Sequence, residues 1–152
     1  MELPFWGALA AVVLMDQLTK VLVRSSLALG QSRPVLGDLL KITYWENPGA
    51  AFGLLPGAIH FFVLTSVVSI AGSMFIYAKY RPFGLPGALA LGLISGGALG
   101  NLIDRLLHGT VTDFINFKYF APVFNLADSA IVLGAFLVAI LILFFSRGCV
   151  KE

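Results

Sequence analysis

Four long apolar stretches, separated by two short connections and one long one, set the plan of this chain. They cover about 3–24, 58–78, 85–107 and 122–146. Crossing roughly 30 Å of hydrocarbon takes about 20 helical residues, and each stretch is long enough. The first is apolar up to Met15 and amphipathic beyond it, the second holds no Asp, Glu, Lys or Arg, and the fourth is unbroken apolar from Ala130 to Phe145. Stretches this long and uniform suit helices rather than barrel strands, which alternate. The pattern predicts an all-α polytopic membrane protein with four transmembrane helices, a single integral membrane domain over 1–152.

The long connection, about 25–57, breaks the helical pattern. Its segment Leu39-Leu40-Lys41-Ile42-Thr43-Tyr44-Trp45 is rich in β-branched and aromatic residues, with Gly37-Asp38 before it and Asn47-Pro48-Gly49 after it as turn signals. This predicts a small β-rich extracytoplasmic subdomain in the first long loop, lying on the membrane with Tyr44 and Trp45 at the interface. The connection at 108–121 reads as a short loop carrying Asp113.

Composition agrees with the span pattern. Of 152 residues 59% are hydrophobic and 12% charged, too few to build the polar shell of a water-soluble domain. A formal net charge of +2 with no basic stripe gives no footprint for nucleic acid. The first stretch lacks the basic start of a cleaved signal peptide and carries Asp16 and Lys20, so it reads as a retained span. The single cysteine, Cys149, offers neither an internal disulfide nor a cysteine metal site, and reads as incidental. His60 and His108 have no ligand spacing, so no metal and no cofactor is expected.

Four spans put both termini on one side. Lys79, Arg81, Arg147 and Lys151 face Lys20, Arg24, Arg33, Lys41, Arg105 and Lys118 across the bilayer. Lys20 and Arg105 lie inside spans beside Asp16 and Asp104 and read as paired, which leaves the positive-inside count even. The short basic loop and tail favour termini inside.

The polar residues of the spans converge. Asp16 and Lys20 are four apart on one helical face, Asp104 and Arg105 follow Asn101 by three and four, and Asn125 and Asp128 are three apart at the start of the fourth span. The topology puts all of these near one membrane face, together with Asn47 and Asp113 from the loops. Asp16 with Lys20 reads as a buried pair that orients the first span. Arg105 reads as reaching a loop carbonyl or a lipid headgroup. Gly92, Gly96 and Gly100 form a small-xxx-small stripe suited to close helix packing, while Gly96 and Gly97 leave room for a substrate helix to approach. Asp128 could simply enjoy the dipole of the helix that it starts. That account does not cover Asp113, set among Val111, Phe114 and Ile115. Two carboxylates brought together share a proton, one as base and the other as acid. Spacing alone leaves the dyad and the structural reading of these aspartates both standing.

Five motifs occur in order: Asp16-Gln17-Leu18-Thr19-Lys20, Asn47-Pro48-Gly49-Ala50-Ala51-Phe52-Gly53, Gly96-Gly97-Ala98-Leu99-Gly100-Asn101-Leu102-Ile103-Asp104-Arg105, Val111-Thr112-Asp113-Phe114 and Phe124-Asn125-Leu126-Ala127-Asp128. Together they closely resemble the bacterial lipoprotein signal peptidases, also called signal peptidase II, over the whole chain. The resemblance implies an aspartyl endopeptidase of the bacterial inner (cytoplasmic) membrane. Its implied substrate is a prolipoprotein already diacylglyceryl-modified on its lipobox cysteine, cleaved just before that cysteine. By the same resemblance the catalytic pair is Asp113 and Asp128, and Asp16, Lys20, Asn47, Gly49, Asn101, Asp104, Arg105 and Asn125 support it or bind substrate. Also implied are cytoplasmic termini, an active site near the extracytoplasmic face, contact with membrane phospholipid, and inhibition by cyclic peptides of the globomycin type. The long first loop is a candidate cradle or lid over the site.

Two other classes compete. A small proton-coupled carrier would need ionisable residues through the bilayer, and the second and fourth spans hold none deeper than His60 and Asp128. A non-catalytic assembly factor would tolerate loss of either aspartate. No His-Glu-x-x-His motif is present, and Leu93 stands where a Gly-x-Ser-x-Gly elbow around Ser95 would need glycine.

Overall fold

A computed structural model describes residues 3–49, 59–81 and 83–145. Seven elements follow in order: α1 (Leu3–Ser26), β1 (Ser32–Leu36), β2 (Leu40–Asn47), α2 (Ile59–Tyr80), α3 (Gly84–His108), β3 (Val111–Phe117) and α4 (Leu126–Phe145). Each of the four helices is long and apolar enough to cross a membrane.

The helices are not equivalent. About 67% of the apolar window of α3 is buried, against 11–17% for the others, so α3 is the post around which α1, α2 and α4 pack. Its composition explains why. Lipid tails are as apolar as leucine, so helices associate in a bilayer by close van der Waals approach, which small residues permit. A Cβ on Gly92 would lie 2.6 Å from Phe5 O, one on Gly96 2.8 Å from Leu9 O, and one on Gly100 2.6 Å from Asp16 Oδ2. The glycine stripe therefore seats α1. Gly97 faces the other way, against the Ala127 carbonyl of α4. Gly96 and Gly97 are thus filled by the protein's own helices, and the expected approach of a substrate helix there is corrected. Large residues such as Leu14, Leu18 and Phe75 project outward.

The three strands form one antiparallel sheet in the order β1-β2-β3. The small β-rich subdomain expected in the first long loop is present as β1 and β2, while the 111–117 segment, read from sequence as a loop, is corrected: it adds the third strand. Trp45 pairs with Asp113 and Asn47 with Val111, so β2 is registered against the segment that carries the aspartate. A bulge between Ile42 and Trp45 interrupts the ladder. Val23 and Leu27 of the α1 end pack with Phe114, Ile42 and Tyr44, which ties the sheet to the helices.

Helix ends are set by local chemistry. Gly109 at φ +76° closes α3 by donating its N–H to Arg105 O at 3.1 Å, a left-handed cap that glycine takes without strain. The last helix begins at Leu126, not near 122, because Asn125 caps it: Asn125 Oδ1 accepts the Asp128 N–H at 2.9 Å and Asp128 Oδ2 accepts the Asn125 N–H at 3.2 Å. This is a reciprocal capping box. Ahead of that cap the chain is not helical, and Phe124 bridges Ile115 of β3.

Candidate active site

Asp113 comes from β3 and Asp128 from the first turn of α4, and both face one cavity of about 900 Å³. Every carboxylate oxygen of the two meets an amide donor. Asp113 Oδ1 accepts from Asn125 Nδ2 at 2.6 Å and Oδ2 from Asn47 Nδ2 at 2.9 Å. Asp128 Oδ1 accepts from Asn101 Nδ2 at 2.8 Å, while Oδ2 is the capping acceptor already described. Asn125 links both acids, one through its side chain and the other through its backbone. Asp113 is 1% exposed, whereas Asp128 is half-buried at the cavity wall. Burial, then repulsion from Asp128, raises the Asp113 carboxyl from 3.8 to about 7 against the opposing pull of the Asn47 and Asn125 amides and Lys20.

Behind the pair lies a buried charge cluster. Lys20 Nζ contacts Asp16 Oδ2 at 2.8 Å, Asn101 Oδ1 at 3.0 Å and Asp104 Oδ2 at 3.1 Å, so each of its three hydrogens has an acceptor. Lys20, Asp16 and Asp104 are fully buried. Arg24 approaches Asp104 at 3.7 Å and donates to Thr112 Oγ1 at 2.8 Å, and Gln17 Nε2 lies 3.2 Å from oxygens of both Asp16 and Asp104. Two acids are thus matched by two bases. The free ends of the acids do the positioning. Asp16 Oδ1 accepts the Ala127 N–H at 3.0 Å, and Asp104 Oδ2 accepts the Thr112 N–H at 2.9 Å. Those residues immediately precede Asp128 and Asp113. Through its two carboxylate partners Lys20 therefore clamps the backbone just before each cavity-facing acid.

Comparison with known proteins identifies the constellation. The sequence model of the signal peptidase (SPase) II family matches residues 8–144. The chain belongs to the signal peptidase II family.

A lipoprotein signal peptidase of Pelotomaculum thermopropionicum is 51% identical over 131 residues, 86% of each chain. That of Staphylococcus carnosus is 43% identical over 140 residues, 90% of this chain and 88% of its own. A solved bacterial membrane enzyme superposes with a TM-score of 0.89 at 34% identity, covering 95% of this chain and 90% of that one. The family and the four apolar helices make this a multi-pass membrane peptidase.

Asp16, Lys20, Asn47, Asn101, Asp104, Asn125, Asp113 and Asp128 of this signal peptidase II family member all meet in one bonded network. Gly49 lines the cavity and donates its N–H to Asn47 Oδ1 at 3.0 Å, which turns the Asn47 amide toward Asp113. Asp104 and Arg105 part company: Asp104 turns to α1 and β3, Arg105 to the cavity. The expected loop carbonyl or headgroup for Arg105 is replaced by Asn101 O at 3.3 Å and the Phe62 ring at 5.1 Å. Sequence reasoning gave no role to the second span, yet Phe62, Thr65, Ser66 and Ser69 of α2 form a cavity wall. Their i, i+3, i+4, i+7 spacing was the signal that could have found them. It also missed Arg24 and Gln17. Among the described residues no group of His, Cys, Asp and Glu has metal-binding spacing. Ala50, Ala51, Phe52, Gly53 and Cys149 lie outside the described residues, as does the last part of the loop read as a lid, residues 50–57.

Proposed function

We propose that this chain is an aspartyl endopeptidase, a single membrane domain over 1–152, that removes the signal peptide from diacylglyceryl-modified prolipoproteins by cutting just before the lipidated cysteine. The observation that carries this reading is the meeting of Asp113 and Asp128, each oxygen held by an amide, at a cavity whose far wall is apolar. Asn47, Asn101 and Asn125 orient the pair, Asp16, Lys20 and Asp104 hold the backbone beneath it, and Gly49 and Arg105 border the substrate.

The chemistry follows from a pair with one proton. The ionised member removes a proton from water as its oxygen attacks the scissile carbonyl, and the protonated member donates to the carbonyl oxygen. The resulting diol collapses as the first acid, now protonated, delivers that proton to the leaving nitrogen. The C–N bond breaks, and the second acid recovers its proton from the diol hydroxyl. Water is consumed, and a carboxylic acid and an amine are released.

Geometry also suits a substrate that stays in the bilayer. The cavity runs between α2, with Thr65, Ser66 and Ser69, and α4, with Ile131, Val132, Leu133 and Phe136, over a floor formed by Ala98 of α3. The signal helix then reaches the pair sideways from lipid, with its scissile bond at the polar end. Both states of the acyl chains are in hydrocarbon, so the lipid serves as anchor and register mark rather than as the main source of affinity. The reading includes the bacterial inner membrane, cytoplasmic termini, a site near the extracytoplasmic face beneath the sheet, phospholipid contact, and a globomycin-type cyclic peptide as a ligand of the same cavity.

The test is cleavage of a diacylglyceryl-modified prolipopeptide by the purified protein beside Asp113→Asn and Asp128→Asn. Cleavage by the wild type and its loss in both folded variants is the expected result. Full activity in either variant would remove that residue from the mechanism. Unchanged cleavage at saturating globomycin would remove the inhibitor from the cavity.

A further inference from the structure

The two acids have equal numbers of amide donors but unequal donors. Asp128 sits in the first turn of α4, where unpaired backbone N–H groups concentrate positive potential, and Oδ2 takes a backbone N–H there. Its other oxygen faces Asn101, and the orientation of that amide is dictated chemically. Lys20 can only donate, so Asn101 must turn its oxygen to the ammonium and its NH₂ to Asp128. The donor on Asp128 is therefore backed by a buried cation. Asp113 receives two side-chain amides, and neither donor amide is itself bound by a cation: Asn47 Oδ1 accepts from Gly49 N, and Asn125 Oδ1 from Asp128 N. Exposure is unequal too, since Asp113 is 1% exposed at the cavity wall while Asp128 is half-buried there.

We propose that the single proton of the pair resides on Asp113, which acts as the acid, that Asp128 is the base that activates water, and that Lys20 acting through Asn101 is the positioning residue that fixes this order. The assignment rests on the aspartyl-peptidase reading above. The raised Asp113 carboxyl, near 7 by burial and by repulsion from Asp128, agrees with it. The other charged and titratable groups around the pair are Asp16, Lys20 and Arg24 of α1, Asp104 and Arg105 of α3, and Tyr44 and Glu46 of β2. α2 contributes none to the cavity wall among the described residues. The field of Lys20 reaches Asp113 as well; what is unequal is the hydrogen-bond route, which runs from Lys20 through Asn101 to Asp128 alone of the two acids.

The experiment is the pH profile of kcat/KM on a diacylglyceryl-modified prolipopeptide, for the wild type, Asn47→Leu and Asn101→Leu, each verified as folded by thermal melting. Removing a donor from an acid favours its protonated form. Asn47 bonds only to Asp113 of the pair, so Asn47→Leu is expected to move the high-pH limb upward by about half a unit or more and leave the low-pH limb in place. Asn101 donates to Asp128, and its oxygen also accepts from Asn125 Nδ2 at 3.2 Å without touching Asp113, which keeps its own bond from that amide; Asn101→Leu is therefore expected to move the low-pH limb upward. The opposite pairing of variant and limb overturns the assignment, as does movement of the same limb by both. If Asn101→Leu does not fold, Asn47→Leu decides alone. A loss of stability without a change in the ionisation of the pair would lower the whole profile and shift neither limb, which also overturns it. Wild-type cleavage abolished by Asp113→Asn and Asp128→Asn keeps the functional reading intact while the limbs judge the assignment. A wild type that does not cleave overturns both.

Discussion

Lys20 shows how much a single buried residue can decide. Its ammonium is fully buried, with two carboxylates and an amide oxygen as its partners. Breaking a buried ion pair by removing one partner costs about 3–5 kcal/mol, because the remaining charges stay unpaired. Lys20→Met is therefore expected to lose about that much stability in denaturant unfolding, and more activity than the stability loss explains. A loss under about 1 kcal/mol would show that Asp16 and Asp104 are relieved some other way. Asp113 has the opposite signature. Its folded carboxyl titrates near 7 against an ordinary 3.8, so the folded state holds a proton that the unfolded chain has released between those values. Stability consequently falls as pH rises from about 4 to 7 and levels off above. Asp113→Asn is expected to stabilise the protein at pH 8, on the order of 4 kcal/mol, with the gain vanishing near pH 4. Melting at the two pH values checks it, and a gain that grows toward low pH would contradict it.

At the scale of elements the site is made by helix ends and helix contacts. The capping box that starts α4 supplies one of the two donors to Asp128, so part of the geometry of the acid is inherited from the helix start. The depth at which α4 rests on α3 is set by Gly97, where a methyl would strike the Ala127 carbonyl one residue from Asp128. Gly97→Ala is expected to cost about 1–3 kcal/mol through overpacking and to lower cleavage by displacing Asp128. Gly72 of α2 has open space around its Cβ position. Gly72→Ala is expected to leave activity unchanged and stability the same or up to about 1 kcal/mol higher. Paired thermal melts and cleavage rates separate these cases, and equal behaviour of the two variants would refute the contact argument.

For the whole molecule, α1, α2 and α4 surround α3, and the cavity opens between α2 and α4 where Leu133 and Phe136 are exposed. Cysteines placed at Ser69 and Leu133 in a Cys149→Ser background are expected to crosslink to a signal peptide that carries a photoreactive or thiol-reactive apolar residue. Cysteines at Leu14 and Leu18, on the outer face of α1, are expected not to. Equal crosslinking at both faces would contradict sideways access through this gap. The number of spans, the strand in the first loop and the nine polar residues that gather around the cavity were legible in the sequence. Hydrophobic length, β-branched runs and polar residues inside apolar segments are local signals whose cost in a bilayer is high. The third strand was not legible, because 111–117 becomes a strand by pairing with β2, an interaction between distant segments. Nor was the divergence of Asp104 from Arg105, since adjacent helical positions point about 100° apart and only the neighbours decide what each meets. The role of α2 stayed hidden because its hydroxyls acquire meaning only across a cavity whose other wall is α4. The sequence by itself determined which residues had to find polar partners within an apolar fold. Tertiary structure alone decided which partners they found, and thereby that Asp16, Lys20 and Asp104 hold the backbone while Asp113 and Asp128 face the open space.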